Sequence, residues 1–361
     1  MENLCEFERF KEALQEAINL LTEENLKKRG IEKVPSNVEN LKEFLTKISQ
    51  NVEIKNYNQL IEFVNSSQDL KKYKEFMGFL GKILDAIQLL KPSKRSEFAI
   101  NKIEQNLKRT GHLFLLNEIP ENLKKNYVKE LIEASATFIL LEVAYTLDFQ
   151  GKNNPLSTLR RSMGDRLPEE YFSELISGWI AEDVIIRKLE EKGIEVERQS
   201  VDKNRIIQFI KPKNKKTEDK DEKKMGSFDI KAYGRFGYYL FEVQRVGNKI
   251  KKKQKSSKSE EGSTSEEFTI DLKKHKYEGG NSNNKIILLW FGKDIPNMNK
   301  RDKSLENKLI FIKNIKNNSD FSFEKDKITF TKEALSKRGV DWEKFQKMSK
   351  DDFINFIEKL N

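Results

Sequence analysis

Apolar residues return every three to four positions through most of the first 150 residues. Leu14, Ala17, Ile18 and Leu21 fall on one such stripe, and Leu41, Phe44, Leu45 and Ile48 on another. That period puts side chains on one face of an α-helix. Residues 76–90 and 127–147 continue it, with breaks at Gly30, Pro35-Ser36-Asn37, Pro92-Ser93 and Pro120. Each break is followed by polar residues suited to a helix start. The spacing predicts a helical region over 1–150, closed by the turn cluster Gly151-Lys152-Asn153-Asn154-Pro155.

Beyond that cluster the period changes. A helix is predicted over 168–192 with Gly193 as its stop. Ile194 and Val196, then Ile206, Ile207, Phe209 and Ile210, predict a strand pair turning at Asp202-Lys203-Asn204. Residues 227–233 and 238–246 predict two further strands joined through Gly234 and Gly237. Two polar segments without periodicity, 211–225 and 249–265, read as loops, the second expected to be mobile. A short helix over 266–277, a buried strand at 286–291, a strand at 309–315 and a helical tail from Thr331 to Leu360 complete the reading. Within the tail, Ser349 and Asp352 have the spacing of a capping box. The chain is therefore expected to be α+β. A helical region at 1–150, serving DNA binding or dimerisation, precedes a mixed β-sheet core flanked by helices at 151–330 and a helical tail at 331–361.

Composition narrows the chemistry. Charged residues make up 35% of the 361, above the roughly 25% of an average globular chain. Even so, 37% are apolar and 24 are Phe, enough for packed cores and incompatible with disorder throughout. One cysteine, Cys5, excludes a disulfide within the chain, and with only His112 and His275 beside it no set of four Cys or His zinc ligands exists. Neither histidine accompanies a Gly-rich nucleophile turn. Metal chemistry would fall to carboxylates, which suit magnesium, with manganese as a substitute. The acidic first ten residues carry no leader pattern, and the longest apolar stretch, 134–147, is interrupted by Glu142. It is shorter than the ~20 residues a membrane span needs. A soluble, cytoplasmic protein without membrane contact is expected.

The chemistry-bearing cluster lies on the strands at 227–233 and 238–246. Alternation puts Tyr239, Phe241 and Val243 on one face, and Leu240, Glu242 and Gln244 on the other. Phe228, Ile230 and Ala232 likewise separate from Asp229 and Lys231. Paired as a hairpin, the strands would bring Asp229, Lys231, Glu242 and Gln244 to one spot. Two carboxylates on adjacent strands can chelate a hard divalent cation, which activates water and stabilises charge on a phosphoryl oxygen.

At these residues the chain resembles the PD-(D/E)XK nuclease superfamily, the restriction-endonuclease-like fold. Asp229 matches the first acid of that pattern, with Phe228 where Pro often stands, and Glu242-Val243-Gln244 matches the second element with Gln in the Lys place. The resemblance covers about 140 residues. It implies Asp229 and Glu242 as metal ligands, Gln244, with or without Lys231, as the group that positions water, and Glu182 on the preceding helix as a supporting acid. Glu174 is the alternative helix acid. A rival alignment makes Asp229-Ile230-Lys231 the acid-x-Lys element and Glu242 a third ligand.

Between Lys211 and Lys258 stand 16 Lys or Arg against 6 Asp or Glu, an excess equal to the +10 of the whole chain. Such an excess beside a carboxylate pair suits a polyanionic substrate. Arg235, Arg245, Lys249, Lys251, Lys252 and Lys253 are the candidate DNA contacts. The resemblance implies a magnesium-dependent endonuclease acting on double-stranded DNA, most like a type II restriction endonuclease and working as a homodimer. The alternatives are a structure-selective repair, recombination or defence nuclease, and a catalytically inactive nucleic-acid binder of the same fold.

Overall fold

The computed structural model describes residues 2–31, 34–51, 54, 56–91, 97–149, 155–199, 228–235, 237–247, 251–254, 266–271, 284–293, 305–313, 321–324, 327–331, 334 and 337–360. The predicted strand at 206–210, the loop at 211–225, Lys249 and most of the 151–155 turn lie outside them.

The apolar stripes of the first half fold as helices: α1 Glu2–Leu20, α2 Glu23–Lys28, α3 Asn37–Gln50, α4 Tyr57–Ser66, α5 Lys74–Met77, α6 Leu80–Leu90, α7 Glu97–Arg109, α8 Leu115–Glu118, α9 Glu121–Phe149, α10 Ser157–Met163 and α11 Pro168–Glu191. Helix α9 is the spine of the first compact unit. It packs against α6 and α3, and buries Leu131, Ile132, Phe138, Leu141 and Tyr145. Arg29, nearly buried, forks to Glu130 at 3.0 Å and Glu133 at 2.6 Å on α9. Asp148, near the far end of α9, accepts from the backbone N–H groups of Ser36 and Asn37 at the start of α3. Those donors have no partner within their own helix.

The division into compact units does not fall at residue 151. The first unit holds residues 1–103 and 121–176, and the second holds 104–120, 177–200 and the described part of 215–361. Residues 104–120 belong with the strands because Phe114 and His112 sit against Trp290, at ring-centroid distances of 6.0 and 5.9 Å. The break at Gly193 is as expected: the residue takes φ 76°, a left-handed conformation open to glycine, and ends α11.

In the second unit the strands are β1 Val196–Arg198, β2 Ile230–Gly234, β3 Gly237–Val246, β4 Lys251–Gln254, β5 Glu266–Asp271, β6 Lys285–Phe291, β7 Lys308–Lys313, β8 Phe321–Glu324, β9 Lys327–Thr331 and β10 Gly339–Asp341. They precede helices α12 Trp342–Lys347 and α13 Lys350–Lys359. Six strands form one mixed sheet in the order β1-β2-β3-β6-β7-β10, and four form a second in the order β4-β5-β9-β8. Within the first sheet β3 and β6 run parallel, and every other neighbouring pair is antiparallel.

Two faces of the first sheet meet different layers. Val246, Ile287, Leu289, Phe291, Ile310 and Ile312 form a common core with Phe268, Ile270, Ile328 and Phe330 of the second sheet. On the opposite face Phe241 stacks on Phe353, Phe311 meets Phe345 and Phe356, and Trp290 meets Trp342 at 4.6 Å. The capping box at the start of α13 is formed: Ser349 Oγ accepts from the Asp352 N–H at 3.1 Å.

Three expectations are corrected. Residues 266–271 are strand β5 and not the start of a helix, because Phe268 and Ile270 alternate into the inter-sheet core. Lys251 to Gln254, placed in a mobile loop, form β4 by pairing with β5. The tail is not wholly helical from Thr331: β9 ends there and β10 closes the first sheet before α12 begins. No described helix is long and apolar enough to cross a membrane.

Candidate active site on the β2–β3 hairpin

The hairpin forms as expected, with Ile230 opposite Phe241, Lys231 opposite Leu240 and Gly234 opposite Gly237. Opposed residues of an antiparallel pair share a face. Lys231 therefore lies on the face of Leu240, Glu242 and Gln244. Asp229 stands in a bend just before β2 and not inside it. Its backbone N–H donates to the Phe241 carbonyl at 2.9 Å, and its Oδ2 accepts from the Val243 N–H at 2.7 Å. Asp229 is thus fastened to the residues on either side of Glu242. Glu242 is 1% exposed, while Asp229 and Gln244 are half-buried.

The remaining predicted residues divide. Lys231 is engaged elsewhere: its Nζ lies 3.3 Å from Glu197 on β1 and stands over the rings of Tyr233 at 4.7 Å and Tyr238 at 5.1 Å. Hydrogen bonding to Tyr233, then to Glu197, raises the Lys231 pKa above the ordinary lysine range. The Tyr233 hydroxyl, donating at 2.6 Å, and Lys231 together depress the Glu197 carboxyl. Glu182 and its neighbour Asp183, both buried, are clamped by Arg198 at the end of β1. Arg198 aligns with Ile230 and, through it, with Phe241, the row opposite Glu242. Glu174 pairs with Arg166 in the first unit.

The structure thus brings Asp229, Glu242 and Gln244 together on one hairpin and gives Glu182 to Arg198. Among the described residues no three His, Cys, Asp or Glu side chains gather as a metal-binding group. The pair that remains suits magnesium by the chemistry of its donors. That ion is commonly held through one or two carboxylates and keeps several waters.

Of the proposed DNA contacts, Arg235 is exposed at the hairpin turn and ion-paired with Asp351 at 2.7 Å. Lys251, Lys252 and Lys253 lie on β4, an edge strand of the second sheet. Arg245 is half-buried and donates to the Thr110 hydroxyl at 3.2 Å, beside the α7–α8 turn. Its place on the strand, beside Trp290 of β6, turns it to the helix-covered face.

Sequence reading missed Arg198, Glu197 and Lys285. Lys285 carried a faint signal, a charged residue two positions before Ile287 at the head of an apolar strand. Arg198 and Glu197 carried none, since their roles depend on which strand β1 meets. The chain matches no protein-family model, no curated protein and no solved structure.

Proposed function

We propose that the protein is a magnesium-dependent endonuclease of double-stranded DNA, built on a restriction-endonuclease-like core and acting as a site-specific homodimer. The observation that carries the reading is Asp229 fastened on both sides of the buried Glu242 in the β2–β3 hairpin. The mixed sheet with parallel β3 and β6, preceded by α11, supports the core assignment.

Asp229 and Glu242 would hold the ion, which supplies Lewis-acid stabilisation of the phosphoryl oxygens and a more acidic bound water. Gln244, two residues from Glu242 on the same face, can accept from or donate to an attacking water and hold it in line. Glu182 supports the site through Arg198, which orients β1 beside β2.

The test is incubation of the purified chain with long mixed-sequence duplex DNA and magnesium, beside Asp229→Ala and Glu242→Ala. Discrete fragments from wild type, lost in both variants by about 10³-fold or more, are expected for removal of groups that stabilise charge in the transition state. Intact DNA under magnesium and manganese alike would sink the endonuclease reading.

A specific observation favours a second reading. Gln at 244, Lys231 held by Glu197, and Glu182 held by Arg198 leave two carboxylates in the group. A nucleic-acid binder that does not cut fits that arrangement. It would shift duplex DNA on a gel equally well with Glu242→Gln.

A further inference from the structure

Lysine is seldom buried without an acid beside it. Lys285 opens β6 and is only 8% exposed. Parallel register sets it beside Leu240, which places it on the face of Glu242 and Gln244. The β6 partner of Glu242 is Ile287, two residues on. Lys285 and Glu242 are therefore diagonal neighbours on adjacent strands, a separation that long side chains span. The Lys285 Nζ stands 4.9 Å from the ring centroid of Phe228, the residue immediately before Asp229. Strand register thus sets Lys285 on the face of Glu242, and the ring contact holds its ammonium against the chain where it enters β2.

Glu242, 1% exposed, is the most deeply buried acid of the hairpin. A buried carboxylate is costly unless an opposite charge compensates it, and the same holds for a buried ammonium. Lys231 does not supply that charge, because Glu197 and two tyrosine rings engage it at the β1 side.

We propose that Lys285 is the positive charge of the Asp229–Glu242 site, filling from β6 the place that Gln244 leaves neutral on β3. It acts as a positioning residue. It compensates Glu242, holds that carboxylate toward Asp229, and sets an ammonium beside the position a scissile phosphate would take. The first two roles stand on the packing alone, whereas the last rests on the hydrolytic reading.

The experiment is a double-mutant cycle on the full chain without metal, read as thermal midpoints of wild type, Glu242→Gln, Lys285→Met and the double variant. Paired residues couple, whereas independent ones add. Lys285→Met should lower the midpoint in the wild-type background, and Glu242→Gln should at least halve that loss. Lys285→Arg, which keeps the charge, should stay nearer to wild type than Lys285→Met. Failure of Glu242→Gln to relieve Lys285→Met, in midpoint or in recovery of folded protein, overturns the proposal.

Cleavage assays form a second arm. If wild type cuts, Lys285→Met should reduce kcat by about 100-fold with little change in KM, and Lys285→Arg should recover part of it. Wild-type turnover in Lys285→Met would overturn the assignment. If wild type does not cut at all, the hydrolytic reading falls by itself and the melting cycle still decides whether Lys285 compensates Glu242.

Discussion

His112 is fully buried, with Nε2 3.0 Å from the Trp290 carbonyl and Nδ1 3.0 Å from the Thr110 hydroxyl. A carbonyl only accepts, so Nε2 carries a proton, and burial disfavours adding a second one at Nδ1. Burial first, then the charge of Arg245, pushes its pKa down to about 3. An unfolded histidine titrates near 6.5, so between those values the unfolded chain binds the extra proton. Stability from this ring is complete above about pH 6.5 and declines as pH falls toward 3; at pH 5 the loss is about 2 kcal/mol. Urea midpoints at pH 7 and pH 5 should converge in His112→Gln relative to wild type, and an unchanged gap would refute the assignment. At this scale the shared face of Lys231, Glu242 and Gln244 could be read from alternation, because β2 and β3 are adjacent in sequence, whereas the bend that holds Asp229 just before β2 could not. Arg198 and Lys285 could not, since each depends on a register set by contacts far along the chain.

Elements were legible in proportion to their apolar pattern. Helices α3, α6 and α11 and strand β3 carry clear periods, β6 is a continuous apolar run, and all five lie where expected. Strand β4 is Lys-Lys-Lys-Gln, with no apolar position to mark it, and it is strand only because β5 offers it a ladder. Strand β5 has two apolar positions, too few to separate a period of two from one of 3.6. Packing at the end of β6 yields a sharper expectation. A Cβ on Gly292 would lie 2.2 Å from the Thr110 carbonyl oxygen, whereas one on Gly178, inside α11, would meet nothing within 4 Å. Gly292→Ala should therefore destabilise the protein by about 1–3 kcal/mol through overpacking. Gly178→Ala should stabilise it by about 0.5–1 kcal/mol, because glycine loses more freedom in a helix. Denaturant midpoints of the two variants should move in opposite directions, and movement in one direction would contradict this account.

For the whole molecule, the change from helical to strand-bearing chain was legible among the described residues, but the boundary between the compact units was not. The turn at 151–155 is a strong local signal, yet the units part inside α11 and claim residues 104–120 for the strands. Local punctuation marks where a helix can end, whereas unit membership follows from long-range burial such as Phe114 against Trp290. The net charge of +10 belongs to this scale as well. Binding to a short DNA duplex in metal-free buffer should weaken with log salt at a slope near −4 or steeper, on the order of five displaced counterions. A slope shallower than about −1 would remove the polyanion partner.

The pleat of β3 carries a further consequence. Its even-numbered positions 240–246 face the second sheet and its odd-numbered positions 239–245 face the aromatic helical layer, and β2 and β6 read that parity from either side. Removing a single residue from the run between Gly237 and Glu242 would exchange the two sets, setting a carboxylate among phenylalanines and a phenylalanine among the acids. Lengthening the turn at Arg235 leaves the parity untouched. Descendants of this chain can therefore vary in length at the hairpin tip, but inside β3 they can drift only by substitution.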